Sequence, residues 1–127
     1  MDKLHGARVF TKLDLASGYH QVRVHADDCH KTAFVAPDGF YDYKVIPFGL
    51  ANAPAAFMRM MHRILRPIRR NAIVYLDDVL IFSQMLAVHK PHLEGVLTSL
   101  RNACLRLNGA KCVFGTLETS FVGFRVN

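Results

Sequence analysis

Tyr75-Leu76-Asp77-Asp78 places two adjacent carboxylates between two apolar runs, Ala72-Ile73-Val74 and Val79-Leu80-Ile81-Phe82. Apolar, β-branched-rich runs on each side of a short polar break predict a β-hairpin with the acids at its tip. Strands this apolar are expected to be buried, so the acids sit against a core. Like charges repel there, and burial penalises both. A divalent cation removes that conflict, because hard cations take oxygen ligands. The pair therefore points to a metal site for phosphate chemistry.

A chain of 127 residues is one domain or a piece of one, and a hydrophobic share of 51% is ample for a packed core. The net charge of +6 suits a polyanionic partner such as nucleic acid. Cys29, Cys104 and Cys112 form no CxxC pair, and their number is odd. That fits a reduced intracellular compartment better than a disulfide framework. The histidines show no zinc spacing; His89 and His92 share a helix face but have no further ligands nearby. There is no signal peptide and no apolar run long enough to span a membrane, so no membrane partner is expected. The start, Met1-Asp2-Lys3-Leu4-His5-Gly6, reads like the tail of a preceding helix, and the chain stops in apparent strand after Phe124-Arg125. Both ends suggest an excerpt from something longer.

Alternation from Val9 to Leu15 predicts a strand ending on Asp14, followed by a turn at Ala16-Ser17-Gly18 and a return strand from Tyr19 to Val24. Ala26 to His30 reads as a helical turn. Lys31 to Val35 and Phe40 to Val45 flank Pro37-Asp38-Gly39, a turn signal. Pro47-Phe48-Gly49-Leu50 is irregular. Pro54 opens a helix with Phe57, Met60, Met61, Ile64, Leu65 and Ile68 on one face, which Pro67 should end or bend. Leu93, Val96, Leu97, Leu100, Cys104 and Leu107 mark a second helix, capped by Asn108-Gly109. Cys112 to Phe114 and Ser120 to Val126 read as closing strands. The pattern is α+β, an antiparallel sheet with two helices on one face.

If the strand ending on Asp14 neighbours the acidic hairpin, three carboxylates converge at one sheet edge. Such a trio can hold two magnesium ions about 3.5–4 Å apart, as in two-metal phosphoryl transfer. Read singly, each acid has an ordinary alternative. Asp14 could cap a turn, and Asp77-Asp78 could be a solvated hairpin tip.

Read together, the segments say more. Phe10-Thr11-Lys12-Leu13-Asp14-Leu15-Ala16-Ser17-Gly18-Tyr19-His20-Gln21, Lys31-Thr32-Ala33-Phe34, Pro47-Phe48-Gly49-Leu50-Ala51-Asn52-Ala53-Pro54-Ala55-Ala56-Phe57, Tyr75-Leu76-Asp77-Asp78-Val79-Leu80-Ile81-Phe82-Ser83, Leu107-Asn108-Gly109-Ala110-Lys111-Cys112 and Phe121-Val122-Gly123-Phe124 occur in that order. This ordered set closely resembles the reverse transcriptase of gypsy-type LTR retrotransposons. The resemblance covers nearly the whole chain. It implies that residues 1–127 are a partial reverse transcriptase domain, the palm of a right-hand polymerase with part of the fingers. The N-terminal fingers, thumb, connection, ribonuclease H and integrase have no counterpart in it.

The resemblance also assigns roles. Asp14 and Asp77 are implied to be the principal metal ligands, with Asp78 the third catalytic carboxylate and the Leu15 carbonyl completing a shell. Backbone amides around Ser17 and Gly18 would meet the triphosphate. Tyr19 matches the aromatic gate that excludes a 2′-hydroxyl by clash; an ordinary strand aromatic is the other reading. Phe48 and Gly49 match the loop lining the nucleotide pocket. Tyr75 would pack near the primer end. Lys111 matches the lysine proposed to protonate the departing pyrophosphate, against a solvated surface lysine. Val122 and Gly123 fall in the family's primer-gripping hairpin, against a plain core strand. Arg59, Arg63, Arg66, Arg69 and Arg70 could track template phosphates or simply form the polar side of a helix. Where the family usually has Pro-Lys or a similar pair, this chain has Gly109-Ala110, so a lysine is lost beside Lys111.

The implied activity is RNA-directed DNA polymerisation. Deoxynucleotides are added to a primer 3′ end, with two Mg2+ ions as cofactor and Mn2+ as a substitute. The implied partners are an RNA or DNA template with its primer, deoxynucleoside triphosphates and the remainder of a retrotransposon polyprotein. The implied location is a cytoplasmic retroelement particle, with the nucleus as the alternative. A non-catalytic nucleic-acid-binding relic, a domesticated interaction fragment and a viral RNA polymerase are the rival readings. Tyr19 and the absence of a Gly-Asp-Asp turn disfavour the last.

Overall fold

The computed structural model describes residues 2–16, 26–42, 44–45 and 53–127. At its centre is β1, Val9–Asp14, covered on both faces over its first three residues and partly open at Lys12 and Asp14. Val9, Thr11 and Leu13 point to one face of the sheet, while Phe10, Lys12 and Asp14 point to the other. β4 (Ala72–Tyr75) and β5 (Asp78–Ser83) form the predicted acidic hairpin. β1 pairs antiparallel with β5, and β6 (Val113–Thr116) pairs with the other side of β1, giving the order β4-β5-β1-β6.

The first helix, α1, runs Ala53–Ile64 and passes into a 3-10 turn at Arg66–Ile68, where Pro67 breaks the α geometry as expected. The second, α2, spans Leu86–Asn102. Both pack on the same face of the sheet. Their side chains Phe57, Met61, Val96 and Leu100 are buried with Leu13, Leu15, Val74, Val79 and Ile81 from the strands. The α+β layout with two helices on one face is as the pattern predicts. At Gly95 of α2 an added Cβ would lie 2.9 Å from Ile68 Cγ2, so a missing side chain lets the helix close onto the 3-10 turn.

The opposite face has a smaller core. Phe10, Leu80 and Phe82 meet Phe121 and Val126 of the hairpin β7 (Thr119–Phe121) and β8 (Phe124–Val126). The single closing strand expected over Ser120 to Val126 is thus a hairpin. Val122 and Gly123 both take positive φ, 52° and 77°, the requirement of a two-residue type I′ turn. A separate two-stranded hairpin is formed by β2 (Phe34–Ala36) and β3 (Gly39–Tyr41) around the predicted Pro37-Asp38 turn. Its strands are shorter than expected. The 3-10 segment Ala26–Thr32 takes the start of the first, and strand pairing in the second ends at Tyr41.

Helix α2 differs from the pattern at both ends, beginning at Leu86, ahead of Leu93, the first residue of the apolar pattern. It ends at Asn102, well short of Asn108-Gly109. Leu105 N–H donates to the Leu100 carbonyl and Cys104 N–H to the Arg101 carbonyl, both at 3.0 Å, around a left-handed Cys104 with φ 59°. This is the Schellman closure, made here by cysteine where glycine is usual. Leu107 therefore leaves the helix and bridges Leu15. The expected turn at Ser17-Gly18, the strand from Tyr19 to Val24 and the loop Pro47-Phe48-Gly49-Leu50 lie outside the described residues.

A buried polar network ties α2 to the sheet. His89 is 2% exposed; Nε2 lies 2.7 Å from Thr11 Oγ1, and Nδ1 lies 2.8 Å from Ser83 Oγ. Ser83 Oγ also meets His92 Nδ1 at 2.7 Å. Thr11 Oγ1 accepts the Gly115 N–H at 3.0 Å, where β6 bulges past β1 with Gly115 at φ 60°. Donor counting satisfies every group when His89 is neutral: Nδ1–H donates to Ser83, Ser83 to His92 Nδ1, and Thr11 to His89 Nε2. Burial, then the neighbouring His92, hold the His89 pKa below its ordinary 6.5.

A group depressed in the folded state contributes stability that is complete above its unfolded value and lost as pH falls through the folded one. The urea midpoint should therefore fall between about pH 7.5 and about pH 5.5. His89→Gln should start lower at the higher pH, by roughly 1–3 kcal/mol for the broken buried network, and depend less on pH. Equal pH slopes for both proteins would show that this imidazole is not the titrating group.

Candidate active site

The register of β1 against β5 sets Asp14 directly opposite Asp78, and that of β4 against β5 sets Tyr75 opposite Asp78. Residues directly opposite share a face, so Tyr75, Asp78 and Asp14 form one row across the end of the sheet, on the side away from the helices. Asp77 occupies the turn beside them. The expected convergence of three carboxylates is present, all three lining one cleft.

The main chain around this row is heavily fastened. Leu15 N–H donates to the Asp77 carbonyl at 2.7 Å, and Asn108 N–H donates to the Asp14 carbonyl at 2.7 Å. Asp14 N–H reaches Cys112 Sγ at 3.4 Å. Asn108-Gly109 thus serves as a clamp on Asp14 rather than as a helix cap. It also starts the 3-10 turn Gly109–Lys111, from which the charge of the exposed Lys111 reaches the acids although Lys111 does not line their cleft. In the hairpin turn, Leu76 has φ 52° and Asp77 does not take positive φ, the pattern of a type II′ turn. Glycine is usual at the first position; leucine there is held in a conformation costing roughly 1–2 kcal/mol. Leu76 N–H donates to Met58 Sδ of α1 at 3.3 Å, so the helix supports the strained turn from behind.

Charge repulsion is concentrated on this row. Burial first, then Asp14 and Asp78, push the Asp77 carboxyl above its ordinary range, while Lys111 opposes them. Burial also raises Asp78; Lys12 and Lys111 pull it down, and Asp14 pushes it up through charge and a hydrogen bond. Asp77 Oδ1 is buried with no hydrogen-bond partner. A mutually repelling, oxygen-only donor set with an orphaned buried oxygen fits a hard divalent cation. Among the described residues no three such side chains form a ready cage for one ion, so ligands from a bound substrate would have to complete any shell.

The acids open into a cleft of about 620 Å³. Lys12, Asp14, Tyr75, Asp77 and Asp78 line one wall, and the Val122-Gly123 turn with Phe124 and Arg125 lines the other. The structure thus brings Tyr75, Val122 and Gly123 to the same cleft as the acids. Arg125 is engaged by Glu118, its Nε at 3.0 Å. Ser17, Gly18, Tyr19, Phe48 and Gly49 lie outside the described residues. Lys12 was not singled out in the sequence. Its signal was available, since two residues before Asp14 in a strand is the same face.

Residues 1–126 match the family model described as reverse transcriptase (RNA-dependent DNA polymerase). The Tf2-3 polyprotein of Schizosaccharomyces pombe is 41% identical over 126 residues, and the Tf2-7 polyprotein is 40% identical. Each alignment covers 98% of this chain, which spans 10% of the length of either relative. Among solved structures, a foamy viral protease-reverse transcriptase in complex with an RNA/DNA hybrid has a TM-score of 0.85 at 25% identity, over 93% of this chain and 16% of that one. The native prototype foamy virus protease-reverse transcriptase has a TM-score of 0.83 at 29% identity, over 92% and 16%.

The raised carboxyls have a consequence for stability. A carboxyl raised in the folded state stabilises most when protonated, fully below its unfolded value near 3.8. That contribution is lost as pH rises through the folded value. At neutral pH the ionised Asp77 opposes folding. Asp77→Asn should therefore raise the melting temperature of the metal-free chain, with the difference narrowing on acidification. With primer-template and triphosphate present to complete the shell, millimolar Mg2+ should raise the melting temperature of the native chain, by mass action, and leave that of Asp77→Asn nearly unmoved. A lower melting temperature for the metal-free variant at neutral pH would refute the repulsion.

Proposed function

Since the chain belongs to the reverse transcriptase (RNA-dependent DNA polymerase) family, we propose that its acid cleft carries out two-metal nucleotidyl transfer at a primer 3′ end. The observation that carries this reading is the cleft itself: the row Asp14, Asp78, Tyr75 with Asp77 faces the Val122-Gly123 turn across one opening. Asp14, Asp77 and Asp78, with the Leu15 carbonyl, would hold two Mg2+ or Mn2+ ions. When bound, these activate the 3′-hydroxyl and neutralise the triphosphate and leaving pyrophosphate.

The chain's own residues supply position and charge. The fastened ends of β1 and β5 fix the main chain that carries the carboxylates, so only their side chains have to adjust when metal and substrate bind. Tyr75 and the Val122-Gly123 turn hold the primer terminus between them. Lys111, exposed and with its charge reaching Asp77, gives its proton to the pyrophosphate oxygen as that group departs. Lys12 sits on the face of Asp14 and Asp78 and adds a second cation to the cleft. Ser17 and Gly18 amides meet the triphosphate, Tyr19 excludes a 2′-hydroxyl, and Phe48 and Gly49 line the pocket, as the resemblance implies. Template with primer, deoxynucleoside triphosphates and the rest of a retrotransposon polyprotein are the partners of this reading, and a cytoplasmic retroelement particle is its setting.

Calorimetric titration with Mn2+, in the presence of primer-template and triphosphate, should show binding that Asp14→Asn and Asp77→Asn each weaken strongly. Unchanged binding in both variants would sink the constellation. The 127-residue chain by itself should extend primers poorly. A triphosphate carries several negative charges, and Lys12 and Lys111 are the cations whose charge reaches the acids. A misplacement of about 1 Å can cost on the order of a hundredfold in rate. Fusion to flanking segments from a Tf2-type relative should raise extension by orders of magnitude, and in that fusion Tyr19→Ala should admit ribonucleotides. Processive extension by the 127-residue chain would overturn this assignment of what the reaction requires.

A further inference from the structure

The larger cleft of the molecule, about 810 Å³, has no catalytic acid in it. It runs along the free edge of β4 beneath α1, and Lys3, Arg59, His62, Arg63, Arg66 and Arg69 line it over a floor of Leu65, Ala72, Ile73 and Val74. Arg59 and Arg63 are one helical turn apart, and Arg66 and Arg69 continue the same side through the 3-10 turn. No acidic side chain of the described residues lines this cleft, and none of its cations is held in an ion pair among the described residues. The sequence deepens the imbalance, because no aspartate or glutamate occurs anywhere from residue 43 to residue 76. Like charges at this spacing repel one another and destabilise a helix. That cost is relieved by no acid of the described residues and would be relieved by a polyanion.

We infer that this arginine cleft is a docking groove for the sugar–phosphate backbone of a nucleic-acid strand, occupied together with the acid cleft. Val74 lines the arginine cleft and the next residue, Tyr75, lines the acid cleft. The two side chains point to opposite faces of the sheet, so a strand leaving the primer-holding row would have to turn round the β4 edge to enter the arginine cleft. Chemistry supports this occupant. The planar guanidinium offers paired donors that match a phosphate, and four of the five full cations here are arginines. The apolar floor is small and comes from β4 and Leu65, so the groove offers charge rather than base-reading groups, and binding is independent of sequence. The inference rests on the nucleic-acid reading of the acid cleft, but its residues are separate.

The test is fluorescence anisotropy of a labelled single-stranded oligonucleotide with the 127-residue chain, across a series of salt concentrations. Arg63, Arg66 and Arg69 are all exposed, so the triple variant R63Q/R66Q/R69Q should fold. With repulsion removed, it should melt no lower than the native chain. Each phosphate contact on a single strand contributes about 0.7 to the slope of log affinity against log salt. The triple variant should therefore lose about 2 units of slope and bind roughly a hundredfold more weakly at about 0.1 M salt. R63K/R66K/R69K, which keeps charge and loses the fork, should retain most of the slope and part of the affinity.

Asp77→Asn separates the two readings. It should lose metal binding and keep oligonucleotide affinity, while the arginine variant should do the reverse. Unchanged affinity and slope in R63Q/R66Q/R69Q would overturn the groove and leave the acid cleft standing. Displacement of the oligonucleotide by polyglutamate as effectively as by an unlabelled strand of equal charge would overturn the assignment to a nucleic-acid backbone.

Discussion

The pairing of β1 with β5 in the register that sets Asp14 against Asp78 is the constraint on which the site depends. That register is not chosen by the acids, which repel. It is chosen by the apolar residues that alternate with them. Leu13 and Val79 face the helices, next to the acids on the other face, and both are fully buried. A slip of one residue would turn Leu13 out and drive Asp14 into the core of α1 and α2. Burying the helix-side face therefore holds two like charges opposite each other, and the fold provides the energy that keeps the site assembled.

Other strained features of the molecule follow the same logic. Leu76 is held at positive φ, Asp77 Oδ1 is buried without a partner, and α1 carries arginines with no acid among them. Each is locally unfavourable, and each faces one of the two clefts. The compensating interactions lie elsewhere. The helix-side core is continuous from Phe57 to Leu100, and the His89 network is satisfied throughout and joins three strands to α2. Local rules broken at a site and kept in the supporting frame are the pattern expected of a functional surface.

The acidic hairpin, β1 and both helices were legible in the sequence, because period and burial agree there and no competing pattern fits the same residues. The end of α2 was not legible. Leu107 falls on the helical period, and Asn108-Gly109 has the composition of a cap, but a left-handed Cys104 stops the helix first. A non-glycine residue carries no local signal for that conformation. Asn108 instead spends its N–H on the Asp14 carbonyl, a long-range bond that no local rule reveals. The Val122-Gly123 turn was partly legible. Its glycine fits a hairpin, but an apolar valine at positive φ reads as strand until the packing of Phe121 and Val126 on the β1 face is seen. Of the acid cleft, the carboxylates could be read from spacing and pairing, whereas the placement of Tyr75, Val122 and Gly123 beside them followed only from the resemblance, and Lys111 reaches the acids by charge without lining the cleft. The nearness of Lys12 needed the register.

β4 stands between the aspartates and the arginines of α1 and the 3-10 turn, while Arg125, the arginine that lines the acid cleft, is engaged by Glu118. An arginine within reach of Asp77 would satisfy its buried oxygen and pull its pKa down. It would also fill the position a divalent cation needs. Lysines serve the acids instead. Lys12 and Lys111 lower the repulsion through charge at a distance, and neither closes an ion pair onto the carboxylates among the described residues. The arginines lie along the side of α1 and the 3-10 turn, on elements that the core fixes in place, so they cannot swing round to collapse onto the acids. Opposite charges separated on a rigid frame leave each set available to a ligand of the other sign. On the short strand β4, Val74 lines one cleft and Tyr75 the other, pointing to opposite faces of the sheet.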